Sequence, residues 1–245
     1  MSILKRISLG GIEVDTAGSS SLLSLIESSI STGSKLKITY LNASCFNLLY
    51  NNKELAKAIN KFDVIHPDGI GIFLAAIFLK GRRVLEQRLT GSDLYPLLWE
   101  SCIKNGSSIY FFGHDDDTLS KIKKNIPALK IAGIQNGYSF SDQAVVENIN
   151  RSKADILVIG LGYPLQEKWV LSNFHQLNTK VMICVGEGIK VFAGSKKRGP
   201  RFLQVLGLEW LVRLVLNPFK YFNRYVIGIP LFLYRIIIIK IRNLA

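Results

Sequence analysis

Residues 64–71 read VIHPDGIG. A carboxylate, Asp68, stands between a ring that fixes φ and a residue without a side chain, where one apolar run gives way to another. Alone, Pro-Asp-Gly is turn chemistry, and Asp is a good helix N-cap. Similar residues recur wherever an apolar run ends: Asn42, then Gly113-His114, Asn136-Gly137-Tyr138, Gly160-Leu161-Gly162-Tyr163-Pro164 and Gly186-Glu187-Gly188. Glycines and polar side chains gathered in this way describe a rim where backbone approaches a ligand and a few side chains orient it. Other chemistries are not encoded. The Gly-x-Gly at 160–162 comes late, lacks a third glycine and is interrupted by Pro164, which argues against a dinucleotide fingerprint. There is no P-loop, no His-x-x-x-His and no Cys-x-x-Cys, and His66, His114 and His175 are too scattered for a metal centre. His114-Asp115-Asp116-Asp117 reads as acids serving a helix N-terminus, with a cation site as the alternative.

Such a rim needs strands that end together. Short β-rich runs are expected at Lys37–Leu41, Asp63–Ile65, Ser108–Phe112, Lys130–Ile134, Asp155–Gly160 and Lys180–Val185. Helices are expected near 20–33, 51–62, 71–80, 92–105, 117–125, 142–152 and 166–176. Runs such as ILVIG and VMICV carry no polar alternation, as strands covered on both faces require. The alternation predicts an α/β fold, a mostly parallel sheet flanked by helices, with ligands beyond the carboxyl ends of the strands. Residues 1–194 are expected to form this domain and 195–245 a helical appendage.

The chain has 245 residues and a formal net charge of +13. Ten Lys or Arg and one acid, Glu209, fall in residues 195–245, leaving 21 basic and 17 acidic residues before them. The partner of the positive charge therefore meets the last fifth of the chain, and it is anionic. The start, MSILKRISLGG, lacks the apolar core of a secretory signal. Cys45, Cys102 and Cys184 are odd in number and set in apolar surroundings, which predicts buried free thiols. The tail, FKYFNRYVIGIPLFLYRIIIIKIRNLA, is too interrupted by charge to span a bilayer, which takes about 20 apolar residues. At about 100° per residue, Arg213, Lys220, Arg224, Arg235 and Arg242 share one helical face. The expected arrangement is two or three helical pieces lying on an anionic membrane surface, Ile, Leu and Phe toward lipid and Arg toward phosphates. The alternative is an amphipathic helix packed on the domain. Exposed apolar surface of this kind also favours homo-oligomers off the membrane. The isoleucine-rich tail argues against nucleic acid as the partner.

Several ordered stretches make the chain resemble the WecG/TagA/CpsF family of bacterial glycosyltransferases over roughly residues 38–224. They are LNAS at 41–44, HPDGIGI at 66–72, Arg88-x-x-Gly91-x-Asp93, NGY at 136–138, GLGYPLQEKW at 160–169, AG at 193–194, RGP at 198–200 and LEWLVR at 208–213. The resemblance implies a metal-independent, inverting transfer of a sugar, N-acetylmannosamine or a hexose, from a UDP-sugar to a polyprenyl-diphosphate-linked saccharide. The implied fold is Rossmann-like, and no cofactor is implied. It places the work at the cytoplasmic face of the cell membrane, in a peripheral protein that makes cell-surface polysaccharide. It also implies that the base is Asp68, a strand-end carboxylate held by Pro67 and uncrowded by Gly69. Arg88 is then a candidate for the diphosphate or acceptor, because guanidinium forks suit phosphate oxygens; a surface pair with Glu86 or Asp93 is its alternative. Gln166 and Gly162 are expected near the donor, Asn42 to orient substrate or to cap, and Tyr138 against the nucleotide or in the core. Glu167 and Trp169 read as helix and core residues. The appendage arginines Arg213 and Arg224, with Arg198, are expected at the lipid diphosphate.

Two departures stand out. The family shows Thr-x-Asn where this chain has Tyr40-Leu41-Asn42. It shows Gly-x-Phe-Asp before Ala193-Gly194, where this chain places Lys190 at the aspartate. Lys190 is then expected at a phosphate, with Glu187 taking ribose contacts. The alternative is a non-catalytic relative that binds the lipid-linked glycan or partner enzymes.

Overall fold

The computed structural model describes residues 4–196 and 199–244. An antiparallel hairpin comes first, β1 (Arg6–Leu9) and β2 (Ile12–Asp15), with Arg6 opposite Asp15. Six strands follow: β3 (Leu36–Leu41), β4 (Val64–Pro67), β5 (Ile109–Gly113), β6 (Ile131–Gln135), β7 (Ile156–Gly160) and β8 (Val181–Cys184). They form one sheet in the order β4-β3-β8-β7-β5-β6, every pair parallel. Each residue of β4, β5, β7 and β8 is buried, which explains their unbroken apolar sequences.

The intervening helices are α1 (Ser19–Thr32), α2 (Ala43–Asn51), α3 (Lys53–Ile59), α4 (Ile70–Lys80), α5 (Gly91–Asn105), α6 (Asp116–Asn125), α7 (Asp142–Ser152), α8 (Leu165–Asn173) and the short α9 (Ile189–Phe192). They bury one core on each face of the sheet. One core holds Leu22 of α1, Leu98 of α5 and Ile122 of α6 with Phe111 and Val158; the other holds Phe46 of α2, Ile72 of α4, Val145 of α7 and Trp169 of α8 with Ile159 and Met182. The three cysteines are free and buried.

The single helix expected at 51–62 is two. Asn52 has φ −130° and ψ 88°, which breaks the helix, and its side-chain oxygen accepts the Leu55 N–H at 2.9 Å to start α3. The hairpin is an addition with a purpose. Asp15 accepts the Ile65 N–H of the edge strand β4 at 2.6 Å and pairs with Arg6 at 2.9 Å, so a free sheet edge is closed.

The appendage consists of α10 (Arg201–Val205), α11 (Glu209–Leu216), α12 (Pro218–Phe222), a π-helical turn over Asn223–Ile227 and α13 (Gly228–Arg242). Among the described residues, no helix is long and apolar enough to cross a membrane. Its last helix corrects the expected facing of the arginines. Arg235 does not join a phosphate-facing stripe. It is 7% exposed, and its guanidinium donates to the Asn47 carbonyl at 2.7 Å, to Asn47 Oδ1 at 3.0 Å and to Asn51 Oδ1 at 2.7 Å. It also lies 4.8 Å over the Tyr50 ring. Phe232, Ile236 and Ile239 join the core that contains Phe46 and Ile72, with Phe232 edge-on to Phe46 at 5.2 Å. The reason is α2, which turns two asparagines and a tyrosine toward α13 and satisfies the buried cation with dipoles and a ring. α13 is thus the packed amphipathic helix, while Val215 of α11 and Phe219 of α12 are 78% and 98% exposed.

Candidate active site

Asp68 follows β4 directly. Its backbone N–H continues the ladder to the Leu41 carbonyl at 2.8 Å. Gly69 takes φ +86°, open to glycine and costly for other residues, and its N–H reaches the Leu89 carbonyl at 3.0 Å. The two bonds fix the corner. The side chain is fixed too: Asp68 Oδ1 accepts the N–H of Gly91, the first residue of α5, at 3.0 Å. Its second oxygen has no partner among the described residues. The Pro-Asp-Gly corner is therefore more than a turn, since it aims half a carboxylate into open space.

That space is a cleft of about 1490 Å³ between the strand ends and the appendage. Asn42, Asp68, Arg88, Gly162, Glu187, Lys190, Arg213 and Arg224 all line it. These eight residues lie at widely separated places in the sequence. Asn42 is also the N-cap of α2, accepting from Ser44 N and Cys45 N at 3.0 Å. Arg88 pairs with neither acid considered for it: its guanidinium donates to the carbonyls of Gln204 at 2.7 Å and Val205 at 3.1 Å, capping the end of α10. Arg213 lies 3.6 Å from Glu209. Arg224 has no carboxylate within ion-pair reach among the described residues and lies 5.6 Å over the Tyr225 ring. Burial works against its charge, yet Arg224 is held above its ordinary value, with the Asp68 carboxylate among the groups that favour the cation.

Glu187 is the meeting point of body and appendage. Lys220 of α12 donates to its Oε1 at 2.8 Å, and Lys190 stands 3.7 Å from Oε2. Burial alone would lift this carboxyl, but the Lys220 hydrogen bond and the two ammonium charges hold it below the usual range. Lys190 is thus matched by an acid three residues earlier.

Two expected residues sit elsewhere. Gln166 is fully buried behind the cleft, where its Oε1 accepts the Gly186 N–H at 2.9 Å and its Nε2 donates to Glu167 Oε1 at 2.7 Å. Tyr138 is outside the core: it is 75% exposed, with its ring against His114 at 6.2 Å. Arg198 lies outside the described residues. His114-Asp115-Asp116-Asp117 serves α6: Asp115 accepts the Thr118 N–H at 2.7 Å, and Asp117 pairs with Lys121. Among the described residues, no three His, Cys, Asp or Glu side chains gather as metal ligands.

Sequence reasoning sets Lys220 on a phosphate-facing stripe and does not foresee its bond to Glu187; it notes Tyr40 only as a departure, and gives no cleft role to this lining residue whose hydroxyl would meet a Cβ on Gly186 at 2.7 Å. Glu167, read as a helix and core residue, is indeed buried, but its half-satisfied carboxyl is not foreseen.

Residues 7–245 match the family model described as the glycosyl transferase WecG/TagA/CpsF family. The match takes in the hairpin and α13, beyond the stretch that the motifs span. An N-acetylglucosaminyldiphosphoundecaprenol N-acetyl-beta-D-mannosaminyltransferase of Bacillus subtilis (strain 168) is 34% identical over 184 residues, covering 69% of this chain and 71% of the relative. Its namesake in Bacillus spizizenii is 29% identical over 80% of this chain and 81% of the relative. That of Staphylococcus aureus (strain MRSA252) is 29% identical over 82% and 79%.

Proposed function

The chain belongs to the WecG/TagA/CpsF family and is a glycosyltransferase, and from that premise we propose that it moves a sugar from a UDP-sugar to a polyprenyl-diphosphate-linked saccharide with inversion. The relatives' names support N-acetylmannosamine as the sugar and N-acetylglucosaminyl-diphosphoundecaprenol as the acceptor. The observation that carries the reading is Asp68, held by one oxygen on the Gly91 N–H and free at the other, in a cleft whose far wall is cationic.

The acceptor hydroxyl attacks the anomeric carbon while Asp68 takes its proton, and the bond from that carbon to the diphosphate breaks. Charge developing on the leaving diphosphate needs fixed cations. Lys190 and the donors of Arg88 not bonded to α10 serve the donor side. Arg213 and Arg224, with Arg198, serve the lipid diphosphate. Asn42, Gly162 and Glu187 shape the donor pocket, Gln166 acts on it through Gly186, and Tyr138 packs against the nucleotide. The exposed side chains of α11 and α12, with the tail's positive charge, bind an anionic membrane surface at its cytoplasmic face. Off the membrane, the same surface drives self-association.

Sugar transfer to a synthetic polyprenyl-diphosphate N-acetylglucosamine, with a panel of UDP-sugars and with Asp68→Asn beside the native chain, tests the reading. Transfer from one donor that the variant loses supports it. Tight binding of the lipid acceptor without transfer from any donor would favour a non-catalytic lipid-glycan binder.

A further inference from the structure

Glu167 is a carboxyl with nowhere obvious to put its charge. It is fully buried in the first turn of α8. Oε1 accepts two hydrogen bonds, from Thr39 Oγ1 at 2.7 Å and from Gln166 Nε2 at 2.7 Å. Oε2 is buried without a partner, and no cation pairs with the group among the described residues. Buried unsatisfied polar atoms are few in native proteins, and each needs a reason. Packing does not supply one, because a glutamine would present the same acceptor oxygen without a charge.

The hydrogen bonds lead to the cleft. Thr39 lies on β3, three residues before Asn42. Gln166, bound by Glu167, holds the N–H of Gly186 at 2.9 Å. Gly186 has φ +52° and opens the turn that delivers Glu187 to the cleft and to Lys190 and Lys220. A single chain of bonds thus links the β3 strand, the α8 start and the turn after β8. The titratable groups facing it are Tyr40, Cys45, Tyr95, Tyr163 and Cys184; all are neutral, since burial raises each of them further above its ordinary value.

We propose that Glu167 is a positioning residue for the transfer reaction: through Gln166 it sets the Gly186–Gly188 turn, and its protonation state tunes how firmly that turn is held. This rests on the glycosyltransferase reading above and adds a control on donor binding from behind the cleft. Burial pushes the carboxyl up to about 7, against the Thr39 and Gln166 hydrogen bonds, so both protonation states are populated near neutrality. The ionised form accepts the stronger bond from Gln166.

The test uses the full chain as native protein, Glu167→Gln and Glu167→Ala. Hydrogen exchange at the peptide containing Gly186 is read first, because it does not depend on activity. Exchange at Gly186 is expected to slow in the native chain as pH rises through about 7, relative to the intrinsic rate, to lose that dependence in Glu167→Gln, and to be fastest in Glu167→Ala. In the transfer assay, Glu167→Ala is expected to raise the donor KM about tenfold with kcat within about twofold, and Glu167→Gln to remove the inflection near 7 from the pH profile of kcat/KM for the donor. Equal exchange in all three proteins, or a pH profile in Glu167→Gln that matches the native one, overturns the proposal. If no protein transfers sugar, the glycosyltransferase reading fails, and the exchange data alone still decide whether Glu167 holds the turn.

Discussion

Replacing Arg235 by alanine separates two accounts of the last helix. In the structure, the guanidinium satisfies the Asn47 carbonyl, Asn47 Oδ1 and Asn51 Oδ1 at 2.7–3.0 Å and covers the Tyr50 ring. A hydrogen bond from a charged group is worth about 1.5–3 kcal/mol net. The three share one guanidinium, so they do not add, and a loss of about 3 kcal/mol is the reasonable figure. For a chain of this size, about 2–4 °C of Tm accompanies each kcal/mol, so Tm should fall by about 6–12 °C. Part of the loss is local, because α13 undocks and exposes Phe232, Ile236 and Ile239. Protease cleavage within residues 228–242 should therefore accelerate well below Tm. Arg235→Lys keeps the charge but cannot reach all three acceptors, and should fall between. If Arg235 instead faced lipid phosphates, the alanine variant would keep its Tm and protease pattern and lose affinity for anionic vesicles. That pair of results would refute the packing argument.

Asp68→Asn keeps the acceptor for the Gly91 N–H and loses the base, so kcat should drop by about 10²–10⁴-fold with KM little changed; an unaltered kcat removes Asp68 from the chemistry. Phe219→Asp places a charge at a 98% exposed apolar tip, and sedimentation with anionic vesicles should weaken by at least about tenfold without a change in Tm. Glu167→Gln should change the pH dependence of stability. The native carboxyl titrates at about 7 folded against 4.5 unfolded, so the folded state binds more protons between these values and native stability falls as pH rises through that window. The variant should therefore gain on the native chain with rising pH, by up to about 3 kcal/mol above 7, as read by denaturant unfolding. Gly113→Ala would set a Cβ 2.4 Å from the Gly160 carbonyl carbon at φ +130°, and Tm should fall by at least about 6 °C; an unchanged Tm would mean the β5 and β7 ends are looser than they look.

Much of the sheet can be read from sequence because its strands are covered on both faces. ILVIG and VMICV have no polar alternation to confuse the reading, and the glycines after them mark the rim. The hairpin is different. RISL and IEVD are four residues each, and their role rests on Asp15 reaching Ile65, a contact that no local pattern announces. The Asn52 break was hidden because asparagine is tolerated inside helices, and only its φ reveals a cap. The site separates in the same way. Asp68 and Gly162 are legible because turn residues declare the backbone, and Glu187 because it sits between glycines. Gln166 and Arg235 mislead because their polarity points toward solvent or ligand, while their tertiary neighbours bury them. Arg88 is legible as a guanidinium at the cleft, but the α10 carbonyls it serves are more than a hundred residues away.

The contact between the first hairpin and the last described helix has a consequence for how the molecule is made. Ile239 lies so close to the β1–β2 turn that a Cβ on Gly10 would come within 2.6 Å of its δ-methyl. The entropic cost of closing so long a loop grows only logarithmically with length, but such a contact forms late. α13 leaves the ribosome after every strand of the sheet has emerged. The nascent chain can therefore assemble its strands and place Asp68 while the far wall of the cleft is still missing. A growing chain holds an unfinished reaction vessel, and only the emergence of residue 239 from the ribosome allows it to close.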